Sequence, residues 1–293
     1  MQSTNKSKKL RCIQRSADRH WVGDGFPVRS IFSYPNLGSV LSPFLLFDYA
    51  GPREFLPTEQ RLGVGEHPHR GFETVTIVYA GEVEHRDSSG GGGRIAPGDV
   101  QWMTAAGGLV HEEFHGRDYA RRGGMFEMVQ LWVNLPAQYK MSAPKYQPIL
   151  NQKIPAVRLP DDNGTVRVIA GEFGGMKGPA KTFTPIHVWD LRVTRGREID
   201  LPVPEGYTTI LVVLRGGISA DGSETIQSAE AGLFDRAGES IKIKTTDETT
   251  ALLLSGEPID EPIAGQGPFV MNTSQEIRQA IVDYTSGKMG HLS

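Results

Sequence analysis

The chain has 293 residues, a formal net charge of −3 and one cysteine, Cys12. At roughly 150 residues per domain the length implies two domains, and the near-neutral charge excludes a broad non-specific grip on nucleic acid. A single cysteine excludes a disulfide framework and a zinc–cysteine cluster, while 35 glycines and 19 prolines imply many tight turns and few long helices.

The leader MQSTNKSKKLRC is basic with no apolar stretch behind it, so it does not read as a signal peptide. It is expected to be mobile, with Lys6, Lys8 and Lys9 solvated and Cys12 inert. The longest apolar runs, 44–47 and 210–214, are far too short to span a bilayer. A cytoplasmic protein without membrane or nucleic-acid partners is the expectation. Short β-branched and aromatic runs follow at 28–32, 74–79, 125–133, 166–170, 188–193, 208–214 and 250–254. Glycine- or proline-rich breaks separate them, including 88–93, 97–98, 107–108, 174–175, 216–217 and Asp221-Gly222. The pattern predicts an all-β sandwich or barrel. The one clear helix is C-terminal: Thr273 and Glu276 form a capping box, Ile277, Ile281 and Tyr284 share a face, and Gly287 ends it.

Residues 76–81 (TIVYAG) resemble 211–216 (LVVLRG), and each run precedes a polar hairpin and a second glycine turn. Two related β-domains are therefore expected, 1–145 and 146–293, the second carrying the helix. The proline-rich stretch 144–162 marks the boundary.

Chemistry concentrates in His67-Pro68-His69 and His111-Glu112-Glu113. In a strand, residues i and i+2 share a face about 6.6 Å apart. A lone strand histidine is ordinarily a surface or core residue; two pincers together make a metal site. Three imidazoles and a carboxylate suit a divalent first-row metal such as Fe, Mn, Ni or Cu, with positions left for water, substrate or dioxygen. His20, His85, His187 and His291 are read as non-ligands without a partner at i±2. Arg121-Arg122 reads as solvated. No phosphate-binding loop or nucleophile elbow is present. Phe72, Trp102, Met103, Met128 and Trp132 read as core, some of them able to line an aromatic pocket. Counting from the repeat places Pro202, Pro204 and Thr245 where the second domain would need ligands, so one metal per chain is expected.

The segments HPHRGFETVTIVYAGEVEHRDS, PGDVQWMTAAGGLVHEEF and QLWVNLP, with SPFLLFD at 42–48, resemble the pirin family of the cupin superfamily, densely over about 25–140. GPFVMNT at 267–273 is similar to bacterial pirin-like proteins. The resemblance implies a bicupin: two face-to-face antiparallel jelly-roll barrels with a short C-terminal helix. It implies one metal in the N-terminal barrel, usually iron with Mn, Ni, Cu or Zn as options, held by His67, His69, His111 and Glu113. Many cupins instead use a carboxylate placed as Glu73 is. Yet Glu73 lies roughly 13 Å beyond His69 along a straight strand, and Glu113 is favoured. His115 shares the parity of His111 but falls toward the rim, and Glu112 points away. Family members act on quercetin-type flavonols with dioxygen, which implies a monomeric quercetin 2,3-dioxygenase-like enzyme with Glu113 also taking the substrate proton. The alternatives are a non-enzymatic regulator acting through protein contacts and a metal-stabilised protein with incidental activity.

Overall fold

The computed structural model describes residues 6–16, 19–220, 222 and 224–292. Residues 1–5 of the leader, and Asp221 of one expected turn, lie outside the described residues. The described chain forms two compact units, one from residues within 17–39, 44–151 and 259–293, the other from residues within 1–16, 40–43 and 152–258.

Each unit is a jelly roll of one seven-stranded and one four-stranded antiparallel sheet. In the first unit the larger sheet runs Lys145–Ile149, Val100–Thr104, Phe72–Ala80, Gly124–Asn134, Phe44–Phe55, Phe26–Ser33, Arg19–Val22, and the smaller runs Gly63–His69, Leu109–His115, Val83–Asp87, Gly92–Ile95. In the second unit Thr208–Arg215 takes the place of Phe72–Ala80, which is the repeat visible in the sequence. Its smaller sheet runs Glu198–Pro202, Ser240–Thr245, Gly217–Ala220, Thr225–Gln227.

The core of the second unit lies between its sheets, with Trp189, Leu191, Leu211, Val213 and Leu253 against Ile199, Leu201, Ile218, Ile241 and Ile243. Full burial of such side chains contributes about 1.5–3 kcal/mol each. The strand alternation explains it: Ile199 and Leu201 are buried while Glu198, Asp200 and Pro202 are exposed.

A split at 145–146 does not describe either terminus. Leu10–Arg15 is an edge strand of the second unit, paired with Glu230–Phe234. The expected mobile leader is thus anchored from residue 6 onward by backbone pairing. Lys8 is wholly buried, its Nζ donating to the carbonyls of Arg236 (2.6 Å) and Tyr207 (3.2 Å). The C-terminal helix, Ser274–Thr285, belongs to the first unit, because Ile277 and Ala280 bury against Val110, Phe269 and Met271. Its capping box is formed by Thr273 and Glu276. Two further short helices, Tyr34–Leu41 and Arg117–Arg122, are too brief to show an apolar period. No helix among the described residues is long and apolar enough to cross a membrane.

Candidate metal centre

The two pincers lie on neighbouring strands of the four-stranded sheet. His111 stands opposite His67 and Leu109 opposite His69, while Glu113 stands opposite Val64. The register therefore slips at a bulge between His111 and Glu113, with one extra residue on the Gly63–His69 strand. The Gly65 carbonyl in that bulge lies 2.8 Å from His67 Nδ1. A carbonyl only accepts, so His67 donates there through Nδ1, and Nε2 is the nitrogen left to face a metal.

His67, His69 and His111 converge. Their ring centroids are 4.2 Å apart for His67–His111, 4.8 Å for His69–His111 and 4.9 Å for His67–His69. One donor atom from each falls within 4.8 Å of the others. Burial, and then the neighbouring imidazoles, hold His69 and His111 well below the ordinary histidine value, so both are neutral with lone pairs to offer. Nδ1 of His69 and Nε2 of His111 are buried without a hydrogen-bond partner. Such orphans cost about 1–3 kcal/mol each in an apolar site. A divalent cation would satisfy both, so the residues fit the metal.

Glu113 groups with His111 and His85 rather than with His67 and His69. Gln101 Nε2 donates to its Oε1, and Thr76 Oγ1, whose shorter bond goes to Gln130 Oε1 (2.6 Å), lies 3.3 Å from the same oxygen. The tyrosine hydroxyl of Tyr146 donates to Gln101 Oε1 (3.3 Å), which turns the amide nitrogen toward Glu113. Glu113 is thus held as an acceptor, and its Oε2 makes no hydrogen bond to the described residues.

Sequence reasoning missed His85. It stands opposite Glu113 on the adjoining strand Val83–Asp87, with Asp87 opposite His111. The overlooked signal is His85-Arg86-Asp87, a third pair at i, i+2 whose side chains meet at 3.1 Å. His85 therefore does have a partner at that spacing.

The remaining candidates sit elsewhere. Glu73, on the larger sheet, belongs to neither group; it accepts from Thr104 (2.7 Å), and burial pushes its carboxyl up to about 7. His115 Nε2 bonds the Gly25 carbonyl (2.8 Å) among Phe55, Phe126 and Tyr119. Glu112 faces outward to Arg61 and Arg86. Of the expected core aromatics, Trp132 alone is partly exposed, 5.3 Å from His69 and stacked on Phe72.

In the second unit the inward positions of the matching strands hold Ile199, Leu201, Ile241 and Ile243. Pro202 lies on the outward face, so it is not the counterpart of a ligand; the infill is aliphatic. Both candidate metal groups among the described residues belong to the first unit.

Residues 25–133 match the Pirin family model, and 188–290 match the Pirin C-terminal cupin domain. The chain belongs to the pirin family. It is 56% identical, over 96% of this chain and 98% of the other, to a Pseudomonas aeruginosa protein provisionally named quercetin 2,3-dioxygenase. It is 36% identical to human pirin over 92% of this chain and 89% of that one. The crystal structure of quercetin 2,3-dioxygenase from Acinetobacter baumannii, 51% identical, superposes with a TM-score of 0.96 over 98% of this pirin and all of that chain. Donor set and relatives together imply a divalent metal in the N-terminal cupin of this pirin.

Proposed function

We propose that this pirin is an iron-dependent dioxygenase that opens the central ring of quercetin-type flavonols, working as a cytoplasmic monomer without nucleic-acid contacts. The observation that carries the reading is the convergence of three imidazoles, two of them with orphaned buried nitrogens, beside an anchored carboxylate. Similarity to proteins named for quercetin dioxygenation supports the substrate class.

His67, His69, His111 and Glu113 would hold the ion, which when bound supplies Lewis acidity toward a flavonol hydroxyl and dioxygen. The chain does the rest. Gln101 fixes one oxygen of Glu113, and the other can take the flavonol proton. Trp132, partly exposed beside His69 and backed by the buried Phe72, gives an apolar face against which an aromatic ring can rest.

The test is aerobic turnover of quercetin by protein loaded separately with Fe(II), Mn(II), Ni(II) or Cu(II). Loss of flavonol absorbance coupled to carbon monoxide release, absent in His69→Ala, is the expected result. If no metal form exceeds that control, the dioxygenase reading fails and a non-enzymatic regulator acting through protein contacts takes its place.

A further inference from the structure

A line of hydrogen-bonding groups runs from the candidate centre to a tight turn. His111 Nδ1 lies 3.2 Å from His85 Nδ1, and His85 Nε2 lies 3.1 Å from Asp87 Oδ2. The side chains of His85 and Asp87 are fully buried. Asp87 Oδ1 accepts from the amides of Ser89 (2.8 Å) and Gly91 (3.0 Å) and from the Ser89 hydroxyl (2.6 Å).

These contacts fix where each proton sits. Two backbone amides can only donate, so Asp87 is an acceptor. Burial pushes its carboxyl up, but the bonds from His85, Ser89 and Gly91 outweigh this and hold it down at about 2. His85 must then carry its proton on Nε2, and its Nδ1 becomes an acceptor. His111 must donate from Nδ1. The reverse order would put a proton on His111 Nε2, a buried nitrogen with no acceptor.

We propose that Asp87 and His85 are positioning residues, a proton-ordered chain that sets the His111 tautomer and presents its bare Nε2 to the metal. Outer-sphere partners of this kind orient ligands and raise their basicity. The inference rests on the metal-centre reading, and it takes His85 as a support for His111 instead of a ligand. Tyr146, stacked on His85 with ring planes 10° apart, keeps that imidazole in place.

Asp87→Asn is the decisive variant. The three donors on Oδ1 force the amide oxygen to stay with them, so the NH2 group turns to His85 Nε2 and reverses the chain. The experiment records histidine ¹⁵N shifts in the metal-free protein, then Co(II) affinity by chelator competition. In the wild type, His111 should be protonated at Nδ1 and pyridine-like at Nε2. Asp87→Asn should exchange the two, and Co(II) binding should weaken about 10- to 100-fold. His85→Phe keeps the stack on Tyr146 but removes the acceptor, and should weaken Co(II) binding to a similar degree. Ser89→Ala, which removes one donor without reversing the chain, should keep the wild-type tautomer. A wild-type His111 protonated at Nε2, or unchanged affinity in His85→Phe, overturns the proposal. So does a coordination shift on a His85 nitrogen in Zn(II)-loaded protein. None of these readouts depends on flavonol turnover, so failure of the dioxygenase reading is seen separately.

Discussion

Arg70, the residue after His69, is joined to Asp283 of the C-terminal helix by an ion pair of 2.9 Å, with 5% and 11% of the two side chains exposed. Arg70 also donates through Nε to the Gly107 carbonyl (2.8 Å), and its backbone carbonyl receives the Val270 amide (3.0 Å). The C-terminal segment therefore holds the backbone that carries a proposed ligand.

Asp283→Asn should destabilise the protein by about 3 kcal/mol at pH 7, since removing one partner strands a buried charge. Lys288, Arg70 and Gln279 all donate to Asp283 and hold its carboxyl well below the ordinary range. A depressed carboxylate contributes stability that is full above about pH 4 and lost as pH falls through the folded value. Urea titrations should thus show a larger difference between variant and wild type at pH 7 than at pH 2. Equal differences at both would refute the assignment.

Lys140 is buried, and its Nζ donates to the carbonyls of Gly71 (2.7 Å) and Val270 (2.9 Å) and to Asn134 Oδ1 (2.6 Å). Burial lowers its pKa from 10.5 to about 7. The unfolded chain binds more protons between those values, so stability should rise with pH from about 7 to 10.5. Lys140→Met should cost about 3–5 kcal/mol, because three acceptors lose their donor, and should flatten the pH dependence in that window.

The two carboxylates should separate cleanly. Glu113→Gln removes the one carboxylate among the four proposed ligands and should weaken metal binding at least 10-fold by competition titration. Glu73→Gln should leave metal affinity within about 2-fold. It should also raise stability at pH 8 by about 1–3 kcal/mol, because a folded pKa near 7 penalises the ionised form as pH rises from about 4.5 to 7. Metal loss in Glu73→Gln with retention in Glu113→Gln would show the carboxylates have been exchanged.

His69→Ala should remove most metal binding and leave circular dichroism at room temperature unchanged. The imidazole trio is one corner of a unit whose core of Phe26, Val78, Val83, Phe126 and their neighbours packs without it. Unfolding of the variant would make the metal chiefly structural.

The sequence alone carried the elements whose signals are local. Strand alternation, the capping box at Thr273 and Glu276, and the i, i+2 spacing of His67 with His69 and of His111 with Glu113 all act within a few residues. Resemblance to pirins added the bicupin and the expectation of a metal in its N-terminal barrel. What needed the tertiary structure was everything set by pairing across the chain. His85 meets His111 and Glu113 only because Val83–Asp87 lies beside Leu109–His115 in antiparallel register. Leu10–Arg15 leaves its expected mobility because its free backbone groups find Glu230–Phe234 some 220 residues on, a pairing no local pattern encodes. The C-terminal helix is legible in its own cap and period, but its partner unit is not. An amphipathic face specifies that it must be covered, and only the fold decides that Val110, Phe269 and Met271 cover it.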